Sequence, residues 1–210
     1  LEALRDELGI SATLPLPTTG APTDEGEPSG TLTEDAVAVI VARKVPENAI
    51  VCDEAATSAR RFFALSAFSA PHDFIMQTGG AIGEGIPLST GAAIACPEHK
   101  VICLQADGCA MYNIQGLWTQ ARENLDIITI IFSNRTYAIL HAEMRNVGVE
   151  EIGTNARRML NLDQPALDWV SLARGFGVEA AVATSCEAFA ALFDAALSRR
   201  GPFLIEARLV

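Results

Sequence analysis

Apolar and polar positions alternate with two different periods along this chain, and the changes of period mark out its elements. Over residues 36–45 the apolar positions recur as on a helix packed against a sheet. Residues 49–52 form an apolar run of strand length. A helical pattern follows at 57–65, a strand pattern at 73–77, and a helix rich in small residues at 85–96. Residues 100–105 read as a strand and 112–123 as a helix. Residues 127–133 are an almost unbroken β-branched run, the signature of a central parallel strand buried on both faces. Helical spacing returns at 168–176 and 187–198, each followed by a strand pattern, at 178–183 and 203–208. Strands alternating with helices predict an α/β fold, a three-layer α/β/α domain on a six-stranded, mainly parallel sheet. The segment 145–165 has no clear period and reads as a long loop, and no internal repeat is present.

The amino-terminal part follows different rules. Leu1, Leu4 and Leu8 are helically spaced, but residues 11–30 are crowded with Pro15, Pro17, Pro22, Pro28, Gly20, Gly26 and Gly30. Residues 1–30 therefore read as a helix stub and a linker from a preceding domain, and residues 31–210 as the folded domain. Thr31 followed by Glu34 has the form of a capping box for the first helix of that domain.

Half of the 210 residues are hydrophobic and 20% are charged, enough for one sizeable core and too apolar for a disordered chain. Fifteen Lys and Arg against twenty-six Asp and Glu give a net charge of −11, the wrong sign for a surface that neutralises nucleic-acid phosphates. No apolar run approaches the roughly 20 residues of a membrane span, and no basic start precedes an apolar signal core, so a cytoplasmic protein is expected. Five cysteines, an odd number without a CxxC pair, fit reduced structural thiols better than disulfides or a zinc site.

In a parallel α/β sheet ligands bind beyond the carboxyl ends of the strands. After the strand at 100–105 come Ala106, Asp107, Gly108, Cys109 and Ala110, where a glycine permits a tight turn and the next helix offers free backbone N–H groups to an anion. After the strand at 127–133 comes Asn134, a neutral oxygen ligand on what is expected to be the neighbouring strand. One carboxylate and one amide oxygen, with phosphate oxygens and water, make the kind of shell Mg²⁺ takes when it bridges a diphosphate. The same dipeptides are also ordinary turns after strands, and taken alone they leave both readings open.

The spacing adds a resemblance. Asp107 and Gly108, then a helix, then an apolar strand ending in Asn134, 27 positions after Asp107, resemble the thiamin-diphosphate motif GDG…NN, with Ala106 in place of its first Gly and Ser133 in place of its first Asn. The stretch from Gln77 through Gly80, Ile82 and Glu84 to Pro87 resembles the glycine-rich segment that receives the aminopyrimidine ring in the acetolactate synthase and benzoylformate decarboxylase group. The closing helix and strand resemble the end of that group's pyrophosphate-binding domain, so the resemblance covers residues 31–210. It implies thiamin diphosphate and Mg²⁺ as cofactors. Asp107, Asn134 and the carbonyl of Thr136 become the metal ligands, and Gly80, Ile82, Gly108, Cys109, Ala110 and Tyr137 further cofactor-binding positions. In it the Gly80 carbonyl accepts from the aminopyrimidine, and Ile82 is the wedge that bends the cofactor so that it supplies its own base.

The resemblance further implies a 2-oxo acid substrate, decarboxylation and carboligation of the acetolactate synthase type, and a homodimer or tetramer in which a partner subunit supplies the pyrimidine-binding domain. Leu140 stands near a position where pyruvate decarboxylases carry a carboxylate, which favours carboligation over simple aldehyde release. The alternatives are a benzoylformate decarboxylase-like enzyme and a cofactor-binding fragment inactive without its missing domains. An ordinary nucleotide-binding domain is disfavoured, because no strand is followed by GxGxxG or GxxxxGK[ST].

His72 is the catalytic candidate, because it sits shortly before the Gly80 stretch, and His141 is a weaker one. Cys109, at a helix start, could have its thiol pKa lowered there; a replacement for the family's Ser, giving its backbone N–H to phosphate, is the preferred role. Glu54 reads as a solvated helix cap in preference to a residue of the cofactor channel, and Glu84 as a cap of the helix after it.

Overall fold

A computed structural model describes residues 2–9 and 26–210; most of the expected linker lies outside the described residues. The helices are α1 (Glu2–Glu7), α2 (Glu34–Lys44), α3 (Phe62–Leu65), α4 (Gly85–Ala95), α5 (Asp107–Asn113), α6 (Gly116–Arg122), α7 (Ala138–Asn146), α8 (Thr154–Leu160), α9 (Trp169–Gly175) and α10 (Cys186–Leu197). The strands are β1 (Ile50–Glu54), β2 (Asp73–Met76), β3 (Val101–Ala106), β4 (Ile127–Ser133), β5 (Glu179–Ala183) and β6 (Phe203–Arg208).

All six strands pair in parallel, in the order β2-β1-β3-β4-β6-β5. Side chains alternate across a pleated strand, so each strand feeds two cores. Ile102, Leu104, Ile128, Ile130 and Ile205 face one layer with α2 and α10, where Val37, Ile40, Phe189 and Phe193 are buried. Val101, Cys103, Ile127, Ile131 and Leu204 face the other, against Ile86, Leu117, Trp169 and Ala173. The three-layer architecture expected from the alternation is therefore present. Every residue of β4 is buried, which explains why its sequence shows no polar alternation.

The differences from the sequence reading are local. Thr33, not Thr31, caps α2, its Oγ1 accepting from the Ala36 N–H at 3.2 Å, while Thr31 bridges to Ser185. The helix expected at 57–65 is reduced to α3: Asp53 Oδ1 accepts the Ala55 N–H at 2.9 Å and Ala56 has φ of 51°, which holds the preceding residues in turns. The pattern at 112–123 divides into α5 and α6, and the break lets Gly116 abut α4, where a Cβ would meet Ile86 Cγ2 at 2.8 Å. The supposed loop at 145–165 contains α8, whose end is tied back to the turn after β4: the Tyr137 N–H and Thr136 Oγ1 both donate to the Leu160 carbonyl, at 2.8 and 3.1 Å.

Candidate functional site

Between β1 and β3 the sheet changes direction: β1 continues to β2 on one side, and β3 leads to β4 on the other. At such a switch point the loops beyond the carboxyl ends diverge and leave a crevice. A cleft of about 590 Å³ lies here. Its walls come from residues 56–58 after β1, from Gly80 and Ile82, from the start of α5, from the turn after β4, and from Leu140 and Leu160.

Asp107, 2% exposed, is the first residue of α5, and its carboxylate meets backbone rather than basic side chains. Oδ1 accepts the Gly108 N–H at 2.8 Å and Oδ2 the Arg135 N–H at 2.6 Å. Burial pushes its carboxyl up to about 6, against the pull of those N–H groups. The second bond joins the two strand ends, since Arg135, with φ of 59°, turns its N–H back towards α5. Asn134 Oδ1 accepts the Thr136 N–H at 3.0 Å, an Asx turn that leaves a lone pair on the amide oxygen. Tyr137 lies over Gly108, and its phenol is raised by burial and by the nearby Tyr112 and Asp107.

Among the described residues no group of three or more His, Cys, Asp or Glu is placed to hold a metal ion by itself. A hard cation at Asp107 must therefore take oxygen from amides, carbonyls and the ligand itself. The residues present fit that demand: a buried carboxylate without a basic partner, with a neutral amide oxygen on the adjacent strand end.

Of the residues expected from the sequence, Gly80, Ile82, Asp107, Gly108, Cys109, Asn134, Thr136 and Tyr137 all line this cleft. Ile82 is 52% exposed, so it is no core residue. Two expectations are corrected. Ala110 is buried and packs in the core with Leu117 and Ile127, while its helix neighbours Cys109 and Tyr112 line the cleft. His72 precedes β2, whose Asp73 pairs with Ile50 at the amino end of β1; because the strands are parallel, His72 lies at the end of the sheet opposite the cleft. Its Nδ1 contacts the Ala70 carbonyl at 2.8 Å, and its ring sits edge-on to Phe62. His141 lines a shallow groove beside the cleft, with Arg135 and Arg145.

Burial, reinforced by the carboxylates of Glu54 and Asp107, pushes the Cys109 thiol up to about 12, the reverse of activation by a helix start. The reading of Glu54 as a solvated cap is also corrected. It is 1% exposed and accepts the Glu84 N–H at 3.3 Å, the Gly85 N–H at 2.6 Å and the Gly83 N–H, so it caps α4 from within the sheet. Gln105 Nε2 donates to it at 2.9 Å. The Glu84 side chain instead accepts the Thr78 N–H, so it closes the preceding turn. Gln105 and Asn113, whose Nδ2 donates to the Gly83 carbonyl, escaped the sequence reading, since neither stands in a motif.

Among the described residues no helix is long and apolar enough to cross a membrane. The family model for the thiamine pyrophosphate enzyme, C-terminal TPP binding domain, matches residues 55–207. A Mycobacterium tuberculosis protein provisionally named acetolactate synthase large subunit IlvX is 42% identical over 207 residues, 98% of this chain and 40% of that protein. Benzoylformate decarboxylase of Pseudomonas aeruginosa is 32% identical over 207 residues, 98% of this chain and 38% of its own length. Among solved structures, the thiamine diphosphate-dependent 4-hydroxybenzoylformate decarboxylase of Rhodococcus jostii RHA1 superposes with a TM-score of 0.80 at 29% identity, covering 95% of this chain and 36% of that one. The chain thus spans about two fifths of the length of the curated relatives it matches.

Proposed function

We propose that this chain, which belongs to the thiamine pyrophosphate enzyme family as its C-terminal TPP-binding domain, holds thiamin diphosphate through Mg²⁺ in an enzyme that decarboxylates 2-oxo acids and joins the product to a second carbonyl, as acetolactate synthases do. The observation that carries the metal part is Asp107: a carboxylate buried at a strand end, met only by backbone N–H groups, beside the amide oxygen of Asn134. A divalent cation there offsets the cost of burying the charge.

When bound, the cofactor supplies an electron sink for the carbon that loses carbon dioxide. The chain's own residues then have separate tasks. Asp107, Asn134 and the Thr136 carbonyl hold Mg²⁺, and the backbone N–H groups at the start of α5, through Cys109, face the diphosphate. The Gly80 carbonyl accepts from the aminopyrimidine amine, and the half-exposed Ile82 is the prop beneath the junction of the two rings. Leu140 brings no carboxylate to the cleft, so this chain supplies no proton donor there for early aldehyde release, which favours carboligation. Simple decarboxylation is the second reading, and the likeness to a 4-hydroxybenzoylformate decarboxylase supports it.

The pyrimidine-binding domain, with the glutamate that activates the cofactor, comes from outside this chain, in a homodimer or larger assembly. The chain alone is then expected to bind cofactor without turning over 2-oxo acids. Calorimetric titration of thiamin diphosphate, with and without Mg²⁺, into wild type and Asp107→Ala tests the assignment. Metal-dependent binding that disappears in the variant supports it. Unchanged affinity and metal dependence in the variant overturn it.

A further inference from the structure

The segment 79–85 carries the two residues assigned to the aminopyrimidine side, and its own hydrogen bonds reach only a few residues along the chain. Gly79, Gly80 and Gly83 have φ of 60°, 76° and 91°, and nothing lies within 4 Å of where a Cβ on Gly79 or Gly80 would stand. Glycines in the left-handed region are free to leave it. Ahead of Gly83 the holds are local: the Ala81 N–H donates to the Thr78 carbonyl at 3.0 Å, Gln77 Nε2 donates to the Ala81 carbonyl, and the Glu84 carboxylate accepts the Thr78 N–H. The holds from β1 and α5 come at residues 83–85. At Gly83 a Cβ would meet Asn113 Nδ2 at 2.6 Å and Tyr112 Cβ at 2.9 Å, and at Gly85 a Cβ would meet Glu54 Cβ at 2.7 Å.

Two side chains make that contact from opposite directions. Glu54 takes the N–H side: its Oε1 accepts from Gly83 and Glu84, and its Oε2 from Gly85. Asn113 takes the carbonyl side, donating from Nδ2 to the Gly83 oxygen. Glu54 is itself held by Gln105, its register partner on β3. Asn113 is the last residue of the helix that Asp107 begins. One peptide unit is thereby tied both to the end of β1 and to the helix of the diphosphate anchor.

A carboxylate buried this fully is costly unless hydrogen bonds offset its charge; here three N–H groups at the start of an eleven-residue helix, and one amide, do so. An apolar side chain would pack at that position without these demands. A charged group retained there therefore points to geometry rather than to core stability. We infer that Glu54 and Asn113 form a two-sided clamp on Gly83 that fixes Gly80 and Ile82 relative to Asp107, an inference that rests on the cofactor reading above. They are positioning residues, acting through the segment they hold.

The test uses the full chain and three proteins: wild type, Glu54→Gln and Asn113→Ala. Hydrogen exchange of peptides covering residues 79–85 is measured without cofactor. Affinities are measured for two probes, thiamin diphosphate with Mg²⁺ and inorganic pyrophosphate with Mg²⁺. In wild type the amides of residues 83–85 should be strongly protected beside an exposed Gly80. In Glu54→Gln they should exchange at least tenfold faster while β3 and β4 peptides are unchanged. Thiamin diphosphate affinity should fall about tenfold, with pyrophosphate affinity within twofold of wild type. Asn113, only partly buried, gives a second variant with the same paired readouts should Glu54→Gln fail to fold. Unprotected amides in wild type, unchanged thiamin diphosphate affinity in the variants, or an equal fall for both probes would each overturn the clamp. If wild type binds neither probe the cofactor reading fails instead, and the exchange data still decide whether Glu54 holds the segment.

Discussion

The Tyr137 ring rests directly on Gly108: a Cβ placed on that glycine would meet Cδ1 and Cε1 of the ring at 2.6 Å. The contact ties the turn after β4 to the residue that follows Asp107, so the two strand ends of the proposed anchor are in register through a side chain as well as through the Arg135 N–H. Gly108→Ala must displace the ring, and overpacking of this kind costs about 1 to 3 kcal/mol. Urea unfolding should register that loss, and cofactor affinity should fall with it. Trimming the ring as well, in Gly108→Ala with Tyr137→Ala, should recover part of the affinity.

Asp107 makes the cofactor-free chain sensitive to pH in a particular direction. Its carboxyl is pushed up from 3.8 to about 6 by burial, so the folded chain binds that proton more tightly than the unfolded chain. The resulting contribution to stability is fully present below the ordinary value and is lost as pH rises through about 6. Relative to Asp107→Ala, wild type should lose roughly 2 to 3 kcal/mol between pH 4 and pH 7. Denaturant midpoints at several pH values, with an unchanged slope, give this difference. A difference constant across that window would show that Asp107 titrates normally.

Ile82 separates binding from chemistry. Its side chain is half exposed in the cleft, so Ile82→Ala should change the stability of the cofactor-free chain by less than about 1 kcal/mol. In the full-length enzyme, turnover should fall while cofactor affinity changes by no more than about 1 to 3 kcal/mol, the loss of a few buried methylenes. Rates per active site decide the matter, and an unaltered rate in folded variant would remove the wedge role.

Thiol reactivity should follow burial rather than position at a helix start. Of the five free cysteines only Cys96 is not buried; burial pushes Cys52 up to about 11 and Cys109 up to about 12. Alkylation at pH 8, followed by mass spectrometry, should show Cys96 modified first and the other four only as the chain unfolds. Rapid modification of Cys109 in the folded chain would contradict the site's electrostatics.

The layers, and the two residues of the proposed anchor, are legible along the chain before any tertiary contact is known. Backbone hydrogen bonding imposes a period of 2 on strands and 3.6 on helices, and burial selects which positions are apolar, so the six strands and the two-sided core are written locally along the chain. Asp107 and Asn134 were legible for a related reason: each directly follows an apolar strand, and β3 and β4 are neighbours in the sheet. What the chain's local pattern does not carry is direction and distant partnership. Sequence proximity to Gly80 suggests a place for His72 near the site, but β2 runs between them, and a parallel strand carries its two ends to opposite edges of the sheet. Ala110 is one residue from the cleft and yet in the core, because a helix turns about 100° per residue. Glu54 follows a strand much as Asp107 does, and nothing nearby in sequence distinguishes a solvated carboxylate from a buried one. Only the packing of α4 against the end of β1 brings N–H groups from 29 to 31 residues away onto its oxygens, and that tertiary contact makes the buried charge tolerable.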